Sequence, residues 1–406
     1  MNVIVLGLTF LSLGIWVGLL GFRGRFWQTD CQLEVQSSKW EIWPSVCVVI
    51  PARNEADLLP ITLYSILKQD YPGNFSVILV DDSSTDGTGT VAQEVAEDLH
   101  KSWQIKVISA QSLPANWTGK LWAMEQGVCH SQKLTPTPDY YLFTDADIEH
   151  DTANLRELVT KAKQENLDLV SFMVRLRCES FWEKFLIPAF VFFFQKLYPF
   201  RWVNNPNNST AAAAGGCILI ASDALNRIGG IQVIRQALID DCALAKAVKS
   251  SYPQKSLLNP LTSPLRGEKE EGIIWLGLSN LTRSLRPYPS LASIWNMVAR
   301  TAFTQLNYSP LLLLSTVLAM TLIYLVSPVA AIWGGLTGNW LIALAGLSGW
   351  LLMVCAYFPI LMFYQCSPLL AFCLPIIALF YTLMTVDSAR LHWGGKGGAW
   401  KGREYS

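Results

Sequence analysis

The chain has 406 residues, of which 51% are hydrophobic and 15% are charged, against about 25% charged in an average soluble protein. Residues 1–22 contain no charged side chain, and residues 301–386 contain no Asp, Glu, Lys, Arg or His. These features exclude a purely soluble protein, and a net charge of zero gives no support for nucleic-acid binding, so we expect no nucleic-acid partner.

Residues 3–22 form an apolar run, which predicts an N-terminal transmembrane anchor over residues 1–24. Arg23 and Arg25 follow this run, whereas a cleaved signal peptide carries its positive charge before it. By the positive-inside rule, the body that follows lies in the cytoplasm. Nine scattered cysteines without a C-x-x-C spacing fit a reduced compartment and indicate neither zinc nor a disulfide framework.

Residues 45–290 are predicted to form an α/β domain with a mostly parallel central sheet. Short β-branched runs predict buried strands, and helical patterns separate them. The predicted strands are residues 46–50, 76–80, 105–109 and 140–144, and the predicted helices are residues 57–68, 88–100 and 119–130. Ligands of such sheets bind beyond the carboxyl ends of the strands, which is where the informative residues should lie.

Three polar, acidic turns directly follow predicted strands. They are residues 51–56, residues 81–88 with Asp81 and Asp82, and residues 145–147. Each turn alone would be explained as a helix N-cap, but three at one sheet edge favour a binding site. Asp145 and Asp147 are two residues apart, so in an extended segment both carboxylates face one way. This pair suits Mg²⁺ or Mn²⁺ holding a diphosphate.

Asp240 and Asp241 open a predicted helix that ends near residue 249. They are either an N-terminal pair favoured by the helix dipole or functional groups, with Asp241 as a general base. An aspartate suffices as base when the electrophile is oxocarbenium-like.

Residues 181–202 contain ten aromatic side chains with interspersed cations, and residues 291–389 form a C-terminal membrane region. We expect the aromatic segment to lie at the membrane interface, admitting a lipid to the site, with core packing as the alternative. The C-terminal region has room for about three spans, near residues 310–333, 340–362 and 368–386. The basic tail, residues 390–406, should also be inside, so either one segment is re-entrant or the tail breaks the rule.

Taken in order and spacing, these motifs resemble the family 2 glycosyltransferases of the GT-A fold. The resemblance rests on residues 51–56, 80–88, 118–120, 145–147 and 240–241. Within that family the segments at residues 113–123, 172–204, 211–220 and 239–249 resemble the hopene-associated glycosyltransferases. The likeness covers nearly the whole chain.

The resemblance implies roles for individual residues. Asp82, beside Asp81, would contact the uridine of a nucleotide-sugar donor, and Lys120 would help to bind the nucleotide. Asp145 and Asp147 would bind Mg²⁺ or Mn²⁺, and Asp241 would deprotonate the acceptor. The remaining implied site residues shape the donor pocket, line the glycine loop, accompany the base or stabilise the leaving diphosphate: Pro51, Arg53, Glu55, Gly215, Gly216, Asp240 and Arg300.

Two departures from the family pattern matter. Around Arg300 the Q-x-x-R-W element of processive members keeps only the arginine, which argues against polysaccharide synthesis. Residues 251–272 form a Pro-, Ser- and charge-rich insertion.

The sequence therefore predicts a multi-pass protein of the inner membrane, an inverting hexosyltransferase that uses a UDP-sugar and a lipid acceptor from the bilayer. The acceptor would be a hopanoid or related isoprenoid, or alternatively a polyprenyl phosphate or a sphingolipid-like molecule. Two other classes are a non-catalytic nucleotide-sugar-binding membrane protein and a transporter, although the C-terminal spans lack the buried charges of ion-coupled paths.

Overall fold

The computed structural model describes residues 2–33, 40–252, 273–395, 399–400 and 403–404. They form two compact units. The α/β unit consists of Cys31–Leu176 and Trp202–Arg286, and the helical unit consists of Met1–Asp30, Arg177–Arg201 and Pro287–Ser406.

Eight strands of the α/β unit form one sheet in the order β3-β2-β1-β4-β7-β6-β8-β5. They are β1 Val46–Ala52, β2 Phe75–Asp81, β3 Ile105–Ser109, β4 Tyr140–Thr144, β5 Ile148–His150, β6 Leu169–Arg175, β7 Cys217–Ala221 and β8 Ile274–Ser284. Two short strands, β9 Ala399–Trp400 and β10 Arg403–Glu404, pair with each other near the C-terminus.

The first four strands confirm the predicted α/β class. β1 pairs in parallel with both β2 and β4, and β2 pairs in parallel with β3. All seven residues of β1 are buried, as its continuous run of apolar residues predicts for a central parallel strand. Because these strands are parallel, their carboxyl ends meet at one edge of the sheet. The other half is mixed, since β7 pairs antiparallel with both β4 and β6.

The helices divide between the two units. Those of the α/β unit are α2 Leu59–Leu67, α3 Thr88–Asp98, α4 Gly119–Ser131, α5 Asn154–Gln164, α8 Ser222–Ile228 and α9 Asp240–Ser250. Those of the helical unit are α1 Asn2–Phe22, α6 Phe181–Leu197, α10 Leu291–Ala299, α11 Pro310–Met320, α12 Val326–Leu336, α13 Trp340–Phe363 and α14 Leu374–Trp393. The short helix α7, Phe200–Val203, contains the point at which the chain passes from the helical unit to the α/β unit. The insertion predicted at residues 251–272 lies outside the described residues from residue 253 onward.

Helix α4 approaches the sheet so closely that a side chain would not fit at the contact. A Cβ atom at Gly127 would lie 2.4 Å from Val49 Cγ1 of β1. The helix starts at Thr118, whose hydroxyl accepts a hydrogen bond from the Leu121 amide. The close contact and the N-cap together fix the first turn of α4, which carries Lys120.

Among the described residues, four helices are long and apolar enough to cross a membrane. They cover Val3–Phe22, Pro310–Leu336, Trp340–Phe363 and Pro368–Trp393. The N-terminal and C-terminal apolar helices of the predicted fold are therefore present. The second of them contains a π-helical turn, Thr321–Leu325, between α11 and α12.

The aromatic segment forms helix α6, and its central rings pack inside the helical unit. Phe192 is fully buried and contacts Phe26 and Tyr357, with ring centroids 5.4 and 5.3 Å away. Phe193 contacts Tyr381 at 4.8 Å. For Phe192 our interfacial interpretation is wrong and the alternative of core packing is correct, whereas Phe193 is only half-buried. The reason is that the partner rings come from elements distant in sequence.

Candidate active site

A cleft opens at the carboxyl edge of the parallel strands. Its lining combines the end of β1, the end of β4, the first turn of α4, the loop before β7 and the start of α9. The residues that line it are Pro51, Lys120, Met124, Phe143, Thr144, Asp145, Gly215, Ile218, Ile234, Asp240, Asp241 and Leu244. Six residues that the sequence predicted as site residues thus share one cleft: Pro51, Lys120, Asp145, Gly215, Asp240 and Asp241.

Lys120 connects the two acidic motifs of this cleft. Its ammonium nitrogen lies 2.9 Å from Asp145 Oδ1 and 3.1 Å from Asp240 Oδ2. A lysine in the first turn of a helix is opposed by the helix dipole, so these carboxylates supply the compensating charge. Burial lowers the pKa of Lys120, but Asp145 and Asp240 outweigh it and hold that pKa above its ordinary value. Lys120 is therefore a fixed cation between the end of β4 and the start of α9.

Asp241 lies beside this bridge and faces the glycine loop. Its Oδ2 accepts a hydrogen bond of 2.9 Å from the Gly215 amide, and its Oδ1 accepts one of 2.7 Å from the Cys242 amide. Burial and the neighbouring Asp240 raise the pKa of Asp241 to about 6, against the opposing effect of Lys120. A carboxylate with a pKa close to neutrality is suited to accept a proton.

Asp147, the second of the two carboxylates that follow β4, pairs with a different cation. Asp147 Oδ2 accepts a hydrogen bond of 2.7 Å from Arg286 Nε, and the same guanidinium donates at 2.7 Å to Glu55 Oε1. Both carboxylate side chains are only 9% exposed. The Leu285 amide donates to the Asp147 carbonyl, which keeps the end of β8 beside the motif. Burial lowers the pKa of Arg286, but Asp147 and Glu55 raise it more, so this arginine is firmly cationic.

The turn after β2 is joined to the turn after β1. Arg53 donates to the Asp82 carbonyl, and its guanidinium lies 3.8 Å from the buried Asp82 carboxylate. Asp81 accepts from the Ser84 amide and so shapes its own turn. Asp86 accepts 3.0 Å hydrogen bonds from the amides of Ala56 and Thr88. The predicted donor-pocket residues Arg53 and Asp82 are therefore in contact, whereas Asp81 has a turn-forming role.

The glycine loop and the end of β4 are held together by buried polar groups. Thr144 Oγ1 donates to the Gly216 carbonyl at 2.9 Å and lies 2.9 Å from His150 Nε2. Burial lowers the pKa of His150 to about 3, so this imidazole is neutral. A Cβ atom at Gly216 would lie 2.6 Å from Val174 Cγ2, which requires glycine there. Gly215 lines the cleft, and Gly216 positions the loop.

Arg300 is the one predicted site residue that lies in the helical unit. It is exposed and follows α10. Its role in stabilising a leaving group stays a prediction.

The carboxylates of the site suit a divalent cation that binds together with a substrate. No group of three or more His, Cys, Asp or Glu side chains in the described part of the chain could hold a metal ion alone. Asp145 and Asp147 instead offer two carboxylates, and each is in contact with a cationic side chain. Mg²⁺ typically takes one or two carboxylates and completes its shell with water and phosphate oxygens. The donor set therefore fits such an ion.

Two residues that hold the site together, Arg286 and Asp86, were not predicted from the sequence. Arg286 stands three residues after Arg283, and nothing in the local pattern separates them. Exposed Arg283 pairs with the half-buried Glu149, whereas Arg286 reaches the buried carboxylates. Asp86 belongs to a turn that was predicted, but its partner Ala56 lies in another turn.

Comparison with known proteins recognises one domain. Residues 47–229 match the family model described as Glycosyl transferase family 2, so this part of the chain is similar to that family. This region contains the turns after β1, β2 and β4 and ends before Asp240.

Two curated relatives carry the same name. A 4,4′-diaponeurosporenoate glycosyltransferase of Staphylococcus haemolyticus (strain JCSC1435) is 29% identical over 133 residues, which are 32% of each chain. One of Staphylococcus aureus (strain bovine RF122 / ET3-1) is 33% identical over 104 residues, which are 26% of this chain and 24% of the relative. The matches thus span at most about a third of these relatives.

Among solved structures, the fold resembles that of a mannosyltransferase from Pyrobaculum calidifontis in complex with GDP-Man and Mn²⁺. The likeness covers 96% of this chain and 99% of that chain, with a TM-score of 0.55 and 16% sequence identity. At this identity the likeness concerns the fold, which is a mixed α/β fold of the GT-A kind.

Proposed function

We propose that this protein is a membrane-bound, inverting glycosyltransferase that moves a sugar from a nucleotide-sugar to a lipid acceptor. The observation that carries the proposal is the juxtaposition at Lys120. This residue ties Asp145 to Asp240, so that Asp241 stands in the same cleft as the proposed diphosphate site. The family 2 domain supports the reaction class, and the four apolar helices support a membrane location.

In the proposed reaction, an acceptor oxygen attacks the anomeric carbon and the bond from that carbon to the diphosphate breaks. Asp241 takes the acceptor proton, and the nucleoside diphosphate leaves with the bonding electrons. Asp145 and Asp147 would hold Mg²⁺ or Mn²⁺, which when bound neutralises the diphosphate of the leaving group. Lys120 and Arg286 keep these carboxylates in place. Glu55, Arg53 and Asp82 belong to the donor side.

The domain layout is part of the proposal. An N-terminal anchor at residues 1–24 and a membrane region at residues 291–389 would hold the catalytic domain at the cytoplasmic face of the inner membrane. The positive residues that follow α1, Arg23 and Arg25, support this orientation.

The comparisons bear on the choice of donor and of acceptor. The Pyrobaculum enzyme is described with GDP-Man, so guanosine donors stand beside the UDP-sugars favoured by the sequence. The Staphylococcus relatives are named for a carotenoid-like carboxylate, which supports an isoprenoid-like lipid acceptor. Hopanoid and polyprenyl-phosphate acceptors belong to the same isoprenoid class, and a sphingolipid-like acceptor is the alternative outside it.

The first test is donor turnover. We expect detergent-purified protein with Mn²⁺ and a bacterial lipid extract to release nucleoside diphosphate from one member of a panel of UDP-sugars and GDP-Man. Mass spectrometry of the extract should show a new glycolipid with the mass of that sugar added. The Asp223→Asn variant should release as much nucleoside diphosphate as the wild type, because Asp223 is an exposed carboxylate in the first turn of α8 and lies outside the cleft lining. If no donor binds and none is cleaved, the proposed function is wrong.

The pH dependence of transfer provides a second test. Below its pKa Asp241 is protonated and cannot accept a proton, so kcat/KM should fall as the pH falls through about 6. An ordinary aspartate would place this limb near 4. Initial transfer rates between about pH 4.5 and 8 would locate the limb. A flat profile over this range would exclude Asp241 as a base with a raised pKa.

A further inference from the structure

Lys196, near the C-terminal end of α6, is a cation whose described partners are all neutral. Its ammonium nitrogen lies 2.9 Å from the Tyr324 hydroxyl and 4.6 Å from the centroid of the Tyr324 ring. In the part of the chain that the structure describes, no carboxylate lies within ion-pair distance of this nitrogen. A lysine ammonium has three N–H donors, and the hydroxyl uses one of them.

Tyr324 is held rigidly by its surroundings. It is fully buried in the π-helical turn Thr321–Leu325. Trp16 packs edge-on against its ring at 5.5 Å, and the Trp16 indole donates at 2.7 Å to the carbonyl of Ile323. Turns of this kind interrupt the regular helix hydrogen bonding and are frequent at functional sites. The tyrosine oxygen therefore fixes the place of the Lys196 ammonium.

A second cation lies beside Lys196. Arg23 Nε donates at 2.8 Å to the Lys196 carbonyl, and Arg23 directly follows Phe22, the last residue of α1. Asp30, the first carboxylate after Arg23 in the sequence, pairs with Arg201. Burial, and then the Arg23 charge, lower the pKa of Lys196 to about 7.

We infer that Lys196 and Arg23 form a binding site for the phosphate group of an anionic lipid. Arg23 stands at the end of an apolar span, which is the depth of lipid headgroups. The phosphate oxygens accept the remaining N–H groups of Lys196 and supply the missing negative charge. A zwitterionic lipid has the same phosphate but carries its own cation, so it compensates the charge of the site less. The inference rests on the membrane location in the proposed function, but not on sugar transfer.

The test measures lipid retention, which needs neither donor nor catalysis. The detergent-purified full chain is titrated with phosphatidylglycerol or phosphatidylcholine, and bound lipid is counted by native mass spectrometry. We expect the wild type to retain phosphatidylglycerol about fivefold more strongly than phosphatidylcholine. Lys196→Gln should abolish this preference. Lys184→Gln, which removes an exposed cation from the same helix, should keep it.

Two further measurements distinguish lipid binding from a misfolded variant and from binding of a soluble phosphate. Lys196→Arg keeps the charge and should keep the preference for the anionic lipid. Inorganic phosphate at about 10 mM should not displace phosphatidylglycerol, because a headgroup site also gains from the acyl chains. Equal retention of the two lipids by wild type, an unchanged preference in Lys196→Gln, or displacement by inorganic phosphate would each overturn the lipid assignment.

Discussion

Asp241→Asn should lower the rate of sugar transfer by about 10²- to 10⁴-fold while leaving nucleotide binding nearly unchanged. The amide oxygen of asparagine can still accept the hydrogen bond that the Gly215 amide gives to Asp241, so the loop should stay in place. The amide cannot accept a proton, so proton removal from the acceptor is lost, together with the hydrogen bond that the Cys242 amide gives to the second carboxylate oxygen. Turnover of the donor identified by the panel, together with equilibrium binding of its nucleoside diphosphate, separates the two effects.

The control for this substitution is Asp223→Asn, which makes the same change in the first turn of another helix and should leave transfer unaffected. Retained transfer by Asp241→Asn would contradict the role of a general base. That result would indicate an acceptor oxygen that is already ionised, as in a carboxylate or a phosphate. The name of the Staphylococcus relatives makes this a concrete outcome to look for.

The parallel half of the sheet could be predicted because each of its strands is marked by its own short stretch of sequence. The predicted strand at residues 105–109 coincides with β3, and the one at residues 140–144 coincides with β4. Both are short apolar or β-branched runs flanked by turn residues, so the signal lies within the run itself. The acidic turns at residues 51–56, 81–88 and 145–147 follow from these strands, whereas Lys120 and Asp240, which lie in the first turns of helices, were assigned to the site only by the family resemblance.

What could not be predicted depends on pairing between distant segments. β7 lies between β4 and β6 and runs antiparallel to both, although its sequence reads only as a short apolar run. The ring contacts of Phe192 in α6 likewise come from Phe26 and Tyr357, more than 100 residues away from it. The pattern of a single sequence shows whether a segment is helical or extended, but it does not show which segments pack against it. The burial of α6 could therefore not be predicted.

Arg286 illustrates the same limit at the site itself. Its position follows from β8, which pairs in parallel with β6 and antiparallel with β5, directly beside the Asp147 motif. The Asp147 carboxylate then receives Arg286 rather than Arg283, because alternate residues of a strand face opposite sides and the strand ends between the two arginines.

Arg286→Gln should raise the affinity of the donor-free protein for Mn²⁺ by about tenfold. Arg286 neutralises Asp147 and Glu55, whose side chains are 9% exposed, and it lies where it competes with a divalent cation for the Asp147 oxygen. Removing the guanidinium leaves two largely buried carboxylates without their cation, and a bound divalent ion would restore the balance. Isothermal titration calorimetry, or loss of the electron paramagnetic resonance signal of free aqueous Mn²⁺, measures this affinity without any turnover.

Arg283→Gln is the matched control. It removes an arginine three residues earlier in the chain, whose side chain is 64% exposed and whose partner is Glu149. Its Mn²⁺ affinity should equal that of the wild type. If Arg286 only stabilised the fold, Arg286→Gln would lower the unfolding temperature without strengthening Mn²⁺ binding. A gain in affinity at a lowered unfolding temperature, recovered when Mn²⁺ is added, would show that the arginine and the metal ion neutralise the same carboxylates. Before the donor binds, Arg286 would then hold these carboxylates in place, and it would give way to the ion that arrives with the donor diphosphate.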